Sequence, residues 1–227
     1  MNQSVLIIAA HPDDEVLGCG GTIAKLAKQG ASVRVAFLAD GVSSRARNET
    51  AQNEKLSERR LAARKANELL GAKSVSFGDF PDNRMDTLAL LDVVKVVEQL
   101  VVDHQPEIIF THHAGDLNVD HRCVHQAVVT ACRPQCGHPV KSILCFETPS
   151  STEWQIPSAE SIFMPNWFVD ITSTWERKLA ALDAYAAELR PWPHPRSKQG
   201  IEHLARWRGA TIGAQAAEAF VLGRHLA

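Results

Sequence analysis

Residues that bind metal ions or transfer protons are concentrated near the start of the chain, in the segment AAHPDDEVLGCGG. This segment contains His11, Asp13, Asp14 and Glu15 directly after an apolar run. A capping role at the next helix would account for one of the aspartates, because aspartate is a favoured N-cap residue. It would not account for the other charges, since unpaired buried charges are costly. A bound divalent cation removes the conflict, because carboxylates and imidazole are among its usual ligands.

A second group of such residues lies in THHAGDLNVDHRCVH, residues 111–125. It contains four of the ten histidines of the chain, with acidic and amide side chains between them: His112, His113, His121 and His125, and Asp116, Asn118 and Asp120. Two histidines and one carboxylate with an open position suit a catalytic zinc, which lowers the pKa of its bound water to about 7. If folding brings the two groups together, the sequence predicts such a zinc site. Another divalent transition metal would also suit these ligands.

The elements around the two groups predict how they meet. Short apolar runs alternate four times with helical patterns: 5–10 then 21–29, 33–38 then 54–70, 75–77 then 88–102, and 108–111 then 121–131. This alternation is typical of βαβ units and predicts an α/β fold, a Rossmann-like three-layer αβα sandwich with a mostly parallel central sheet. Ligands bind at the carboxyl edge of such sheets. Both groups follow strands of this sheet, so we expect them to share that edge.

The pattern is less regular after Ile143. We expect strands at 143–146 and 167–171, a helix at 173–189 that PWPHP ends, and a further helix at 201–222. No linker or repeat interrupts the chain. The sequence therefore predicts a single domain over residues 1–227, with a core of about 1–145 and an elaborated C-terminal part, 146–227.

Composition excludes several classes of protein. The chain has 227 residues and a formal net charge of −2, which argues against a nucleic-acid partner. Its apolar runs are far shorter than the ~20 residues of a membrane span. The N-terminal segment lacks the positive region of a signal peptide, and five cysteines suit a reducing compartment, so we expect a cytoplasmic protein without membrane insertion. The sequence leaves open whether it forms a homo-oligomer.

Taken together, the motifs resemble those of the PIG-L/LmbE family of zinc-dependent N-acetylglucosaminyl deacetylases. The resemblance rests on AHPDDE followed by a pair of glycines and on the dipeptide Asp120-His121. It covers most of the chain, including RRLAARKANELLG, FPDNRMD and RWRGATIGAQAAEAF. It implies a zinc-dependent hydrolase that removes an N-acetyl group from an acetylated amino sugar or a glycoconjugate.

The resemblance also implies a role for each matching residue. His11, Asp14 and His121 would be the zinc ligands. Asp13 would be the general base, which takes a proton from the activated water and returns it to the leaving amine. Amide hydrolysis needs both proton transfers, so the chemistry agrees with this assignment.

Other residues are expected to support these groups. Glu15 would either hold the second ring nitrogen of His11 or be a first-turn carboxylate favoured by the helix dipole. Asp120 is expected behind the metal ligands. Arg59 matches a substrate-contacting arginine of the family, and Arg60 is the alternative.

One position departs from the family pattern. Many members have HxDH, in which the first histidine helps to stabilise the oxyanion, whereas this chain has Asn118 there. An asparagine amide can donate a hydrogen bond to an oxyanion but cannot deliver a proton. Either Asn118 is a donor only, or His112 or His113 takes the missing role. His113 and Asp116 are also predicted substrate contacts, and Asp116 would alternatively orient a histidine.

Three other functions remain open. The first is a zinc amidohydrolase for a non-sugar acetylated amine, such as an antibiotic or a thiol-pathway intermediate. The second is a catalytically inactive metal-binding homologue, against which Asp13 argues, because structural zinc sites use four protein ligands. The third is a nucleotide-binding protein, which the fold alone supports only weakly. The expected partner is a small N-acetylated sugar or amine.

Overall fold

The computed structural model describes residues 3–42 and 49–227. Its strands are β1 (Ser4–Ala9), β2 (Ser32–Ala39), β3 (Ser74–Phe80), β4 (Ile108–His112), β5 (Ser142–Phe146), β6 (Trp167–Asp170) and β7 (Ala217–His225). Its α-helices are α1 (Asp14–Lys28), α2 (Glu49–Leu70), α3 (Leu90–His104), α4 (Val119–Ala131), α5 (Trp175–Ala184) and α6 (Lys198–Ala210). None of the helices in these ranges is both long enough and apolar enough to cross a membrane.

The strands of the described residues form one sheet in the order β3-β2-β1-β4-β5-β7-β6. Strands β1 to β5 pair in parallel, whereas β7 is antiparallel to both of its neighbours. Helices α1, α2 and α5 pack together on one face, and α3 and α4 on the other. The predicted three-layer α/β fold with a mostly parallel sheet is therefore confirmed. The strand order reverses between β1 and β4, which places a ligand crevice at their carboxyl ends.

Strand β1 shows why the sequence forms this centre. Val5, Ile7 and Ala9 pack against the α1, α2 and α5 layer, while Leu6 and Ile8 pack against the α3 and α4 layer. All five are fully buried. A strand covered on both faces needs a continuous apolar run, which VLIIA provides.

The C-terminal prediction of one helix over 201–222 is wrong in its second half. Helix α6 ends at Ala210, and the chain continues as strand β7. Within β7, Phe220 is fully buried and pairs with Phe146 of β5 on one side and Trp167 of β6 on the other. Pairing on both sides outweighs the helix propensity of the alanine-rich segment, because strand preference depends on packing context.

Helix α1 also differs from the prediction, which placed its start at Gly21. It begins at Asp14, and its glycines lie inside it. A Cβ on Gly18 would lie 2.3 Å from the ring of Phe146, so glycine permits the close approach of α1 to the sheet. The helix is interrupted at Cys19, whose φ of −146° and ψ of 20° are not helical.

A buried ion pair satisfies the backbone at this interruption. Glu218 accepts hydrogen bonds from the N–H groups of Gly21 (2.9 Å) and Thr22 (2.7 Å). Lys178 donates to the carbonyl of Leu17 (2.9 Å) and to Glu218 (2.6 Å). The pair therefore caps both broken ends, as isolated helix termini require.

Replacing Lys178 by methionine is expected to lower the free energy of unfolding by about 3 to 5 kcal/mol, because it leaves the buried Glu218 carboxylate without its cation. Urea unfolding followed by circular dichroism measures this change. Lys198→Met is the matched control, since Lys198 and Asp183 form an ion pair with side chains 52% and 56% exposed, which predicts a change of about 0 to 1 kcal/mol. Equal losses in the two variants would contradict the role of the buried pair.

Candidate metal centre and catalytic site

The two polar groups found in the sequence meet at the carboxyl ends of β1 and β4. The N–H of Ala10, just past β1, donates to Nε2 of His112 at the end of β4 (2.9 Å). Helix α1 begins at Asp14 and helix α4 at Val119, so Asp14 and His121 both lie in first turns. Both side chains are buried against each other.

Three side chains bring metal-binding atoms together. His11, Asp14 and His121 each offer one atom, and these atoms lie within 4.8 Å of one another. Oδ2 of Asp14 is 3.3 Å from both His11 Nδ1 and His121 Nε2. Oδ1 of Asp14 is buried with no hydrogen-bond partner among the described residues, which is costly unless a cation binds there. Two nitrogens and one carboxylate therefore fit a divalent metal with an open position.

Carboxylates lie behind both histidines. Nε2 of His11 is 2.9 Å from Oδ2 of Asp120 and 3.1 Å from Oδ1 of Asp82. Nδ1 of His121 is 3.0 Å from Oδ1 of Asp116. Metal-ligating histidines usually have such a partner, which fixes the ring orientation. Asp82, in the FPDNRMD loop, was missed by sequence reasoning, although its loop follows β3 at the same edge of the sheet.

His11, Asp82 and Asp120 form a second group close enough to hold a cation. Asp120 is already used there as an acceptor, because its carboxylate accepts from the backbone N–H groups of Asn83 (2.6 Å) and Met85 (3.0 Å). These bonds anchor Asp120 to the loop after β3. We therefore interpret this group as the support of His11.

The surrounding carboxylates shift the pKa values of the histidines. Burial lowers the pKa of His121, but Asp14 and Asp116 more than offset this and raise it to about 9. Burial also lowers the pKa of His11, while Asp120 and Asp14 raise it well above its usual value. Burial raises the pKa of Asp14, yet His121 and His11 hold it well below its usual range.

Metal binding to the metal-free protein at pH 7 is expected to release roughly two protons, because both raised histidines must become neutral to act as ligands. The apparent affinity should rise as pH increases through about 9, where His121 loses its proton. Calorimetric titration with zinc in buffers of different ionisation enthalpy counts the protons. His125→Gln is the control, since the pKa of His125 is lowered by burial and this residue stays neutral at pH 7. A release near zero would contradict the predicted protonation.

Asp13 lies beside the candidate metal ligands and lines an adjoining cavity of about 270 Å³. It is the N-cap residue of α1, but its side chain does not cap the helix, and its φ of 116° is in the left-handed region. Oδ2 accepts hydrogen bonds from Arg196 (2.9 Å) and Arg59 (3.4 Å), while Oδ1 is buried without a partner among the described residues. Burial raises the pKa of Asp13, against the effect of both arginines. These properties suit a group that accepts a proton from water.

Glu15 does not hold His11, so that predicted contact is wrong, and the alternative of a carboxylate in the first turn of α1 is the one that the structure shows. Its Oε2 accepts from the backbone N–H of Asp13 (3.0 Å), and its Oε1 accepts from Tyr185 (2.8 Å) and Asn67 (2.9 Å). Helix α1 turns this side chain toward α2 and the end of α5, away from His11. Burial raises its pKa to about 8. Glu15 thus supports the positive-φ backbone of Asp13, which costs of order 1 to 3 kcal/mol in a non-glycine residue.

Asn118 lines the cavity, whereas His112 and His113 do not, so neither of them takes the role of the histidine that Asn118 replaces. His112 is fully buried, accepts the N–H of Ala10 and stacks on the ring of His121 at 3.8 Å. Asn118 itself caps α4, because its Oδ1 accepts from the N–H of Asp120 (2.8 Å). Its Nδ2 donates to Oδ1 of Asn83 (3.0 Å) at the cavity wall.

Two predicted substrate contacts are corrected by the structure. Asp116 is fully buried, with Ser151 and Thr152 donating to its carboxylate beside His121. It therefore orients His121, which was the alternative drawn from the sequence. His113 contacts the carbonyl of Ser161 through Nε2 (3.0 Å) and does not line the cavity.

Arg59, and not Arg60, faces the cavity. Arg59 donates to Glu188 (2.6 Å), to the carbonyl of Pro12 (3.0 Å) and to Asp13. Arg60, the next residue of α2, donates to the exposed Asp79 of β3 and does not line the cavity. Successive residues of a helix point in different directions, and only the fold shows which one meets the site.

The far wall of the cavity was missed by sequence reasoning. It is formed by the segment before α6, which the sequence showed only as the proline-rich end of a helix, and includes Glu188, Arg190, His194 and Arg196. Nδ1 of His194 accepts the backbone N–H of Arg196 (3.0 Å), and its ring packs edge-on against Trp154. No sequence motif predicts a return of the chain to HPDDE at this point.

Comparison with known proteins agrees with this geometry. The family model described as PIG-L, GlcNAc-PI de-N-acetylase, matches residues 6–132. The uncharacterized deacetylase YaiS of Escherichia coli strain K12 is 32% identical over 79% of this chain and 89% of its own length. The diacetylchitobiose deacetylase of Thermococcus kodakarensis is 29% identical over 82% of this chain and 70% of its own.

A solved hydratase is similar over almost the whole molecule. GalB, the 4-carboxy-2-hydroxymuconate hydratase of Pseudomonas putida KT2440, superimposes with a TM-score of 0.80 and 25% identity. The match covers 99% of this chain and 98% of that one. The same fold therefore includes proteins named for different reactions.

Proposed function

Since this chain belongs to the PIG-L family, we propose that it is a zinc-dependent N-deacetylase, which removes the acetyl group from an acetylated amino sugar or glycoconjugate. The observation that carries the proposal is the buried set His11, Asp14 and His121 beside Asp13, at the edge of one cavity. The match to the family model confirms the resemblance drawn from the sequence motifs at the level of the family. The diacetylchitobiose deacetylase among its relatives supports a sugar substrate.

His11 Nδ1, Asp14 and His121 Nε2 would hold the ion. Bound there, zinc supplies a Lewis acid that polarises the acetamide carbonyl and lowers the pKa of a water molecule. Asp120 and Asp116 keep the two imidazole rings oriented through their other nitrogens. The cluster of carboxylates is thus accounted for by one cation and its support.

The protein's own groups handle the protons. Oδ1 of Asp13, which has no other partner among the described residues, accepts a proton from water as oxygen attacks the carbonyl carbon. The carbon–nitrogen bond then breaks, and Asp13 returns the proton to the amine nitrogen, which yields acetic acid and a free amine; the acid then gives its proton to the amine or to solvent and leaves as acetate. Nδ2 of Asn118 is the amide donor at the cavity wall for the developing oxyanion.

A deacetylation screen tests the proposal. Zinc-reconstituted protein is incubated with acetylated amino sugars, sugar nucleotides, chito-oligosaccharides and non-sugar acetylated amines, and acetate release is measured. We expect release from at least one sugar substrate, and none after removal of the metal with a chelator. Release only from non-sugar amines would contradict the sugar substrate but keep the deacetylase function. No release from any compound would contradict the deacetylase function itself.

Water addition is the second candidate, because GalB is named as a hydratase. The observation that favours it is the presence of Arg59, Arg190 and Arg196 in the cavity wall, since arginine binds carboxylates with charge-assisted hydrogen bonds. To test it, the same protein is incubated with 4-carboxy-2-hydroxymuconate. Hydration would lower the absorbance of this substrate without releasing acetate. That result, with no acetate from the acetylated panel, would favour hydration.

A further inference from the structure

Arg196 joins the C-terminal part of the chain to the HPDDE segment. Its Nη1 donates to Oδ2 of Asp13 at 2.9 Å. Its Nε donates to Oγ of Ser150 (2.7 Å) and to the carbonyl of Pro149 (3.3 Å). Three segments that are distant in the sequence therefore meet at one guanidinium group, whose side chain is only 19% exposed.

The contacts of Asp13 are unequal between its two oxygens. Oδ2 receives Arg196 and, at 3.4 Å, Arg59, which is itself held by Glu188 (2.6 Å) and by the carbonyl of Pro12 (3.0 Å). Oδ1 receives no hydrogen bond from the described residues and is buried. A carboxylate held by two cations on one oxygen cannot exchange its oxygens without breaking charge-assisted hydrogen bonds.

We propose that Arg196 is a positioning residue for Asp13, which fixes Oδ2 and leaves Oδ1 as the oxygen that takes and returns the proton. This inference rests on the proposed function. Glu15 fixes the backbone of Asp13 through its N–H, whereas Arg196 holds Oδ2 of the carboxylate. Both restraints are needed, because a displacement of about 1 Å at a reacting group can cost 10²-fold in rate.

Arg196→Gln is expected to lower kcat by about 10²-fold with little change in KM, because the base is misplaced while the substrate still binds. Arg196→Lys should retain part of the activity, and millimolar guanidinium should partly rescue Arg196→Ala.

The matched control is Arg208→Gln. Arg208 also donates twice to a carboxylate, Glu147, at 2.8 Å with its side chain 18% exposed, and it does not line the cavity. We expect this control to keep the wild-type kcat.

A double-mutant cycle shows whether Arg196 acts through Asp13. In an Asp13→Asn background, Arg196→Gln should cause no further loss of rate. The double variant should also bind as much zinc as Asp13→Asn, and after cobalt substitution it should show the same visible spectrum. A wild-type kcat in Arg196→Gln, a rise in KM alone, or multiplicative losses in the cycle would overturn the inference.

A measurement without substrate separates this inference from the proposed function. The thermal unfolding temperatures of wild type, the two single variants and the double variant give the coupling between Asp13 and Arg196 even if no acetylated compound is hydrolysed. A non-additive change supports the contact, whereas additive changes overturn it. Failure of the acetamide screen alone would overturn only the deacetylase function.

Discussion

Replacing Asp13 by asparagine is expected to lower kcat by about 10²- to 10⁴-fold while the protein keeps its metal, because the substitution removes the group that carries the proton. The side chain keeps its shape, and the metal-binding atoms of His11, Asp14 and His121 are not altered. Initial rates of acetate release measure the loss, and elemental analysis of the same sample measures bound zinc. Rate loss with full metal content would identify Asp13 as the base.

The control for this variant is Asp79→Asn. Asp79 of β3 pairs with Arg60 of α2 outside the cavity. Asp13 pairs with Arg59, the preceding residue of α2, inside the cavity. We expect it to keep the wild-type rate. If Asp13→Asn also hydrolysed acetamides at the wild-type rate, the proton would have to pass through another group.

Asp13→Asn should not lower the unfolding temperature of the metal-free protein. Burial raises the pKa of Asp13 above its unfolded value, so the folded state favours the protonated form. The ionised carboxylate therefore destabilises the fold above its unfolded pKa, and this cost is absent at lower pH. A neutral amide removes it at pH 7. Catalytic groups often carry such a cost in stability.

Replacing Asp14 by alanine is expected to weaken metal binding by more than about 100-fold, because even the loss of a partner behind a ligand costs 10- to 100-fold. The substitution removes the carboxylate that lies between His11 and His121 at 3.3 Å from each. Competition with a fluorescent chelator measures zinc affinity at fixed pH. Acetate release should fall with metal content and recover only partly at high zinc concentration.

Asp120→Asn provides the comparison that locates the ion. Asp120 contacts the other nitrogen of His11 and two backbone N–H groups, so its replacement should weaken zinc binding by about 10- to 100-fold. We therefore expect Asp14→Ala to weaken zinc binding more than Asp120→Asn does. The reverse order would place the cation in the group formed by His11, Asp82 and Asp120.

The order of layers was predictable because it depends on local signals. Alternating apolar runs and helical patterns specify βαβ units, and the right-handed crossover brings the carboxyl ends of the parallel strands to one edge. HPDDE and residues 112–121 follow two such strands, so their meeting followed from the pattern. Strand β7 could not be predicted in this way, because its alanine-rich segment becomes a strand only when β5 and β6 pair with it on both sides.

The sequence by itself determined the fold class and the family, and it supplied the residues that we propose as metal ligands and base, since these depend on residue types at fixed local spacing. Only the tertiary structure decided the contacts of each atom. It turned Glu15 to the backbone of Asp13, placed Asp116 behind His121 and put Arg59 in the cavity wall. It also brought Arg196 to Asp13 across 183 residues. Such contacts depend on how distant segments pack, and no short motif encodes that packing.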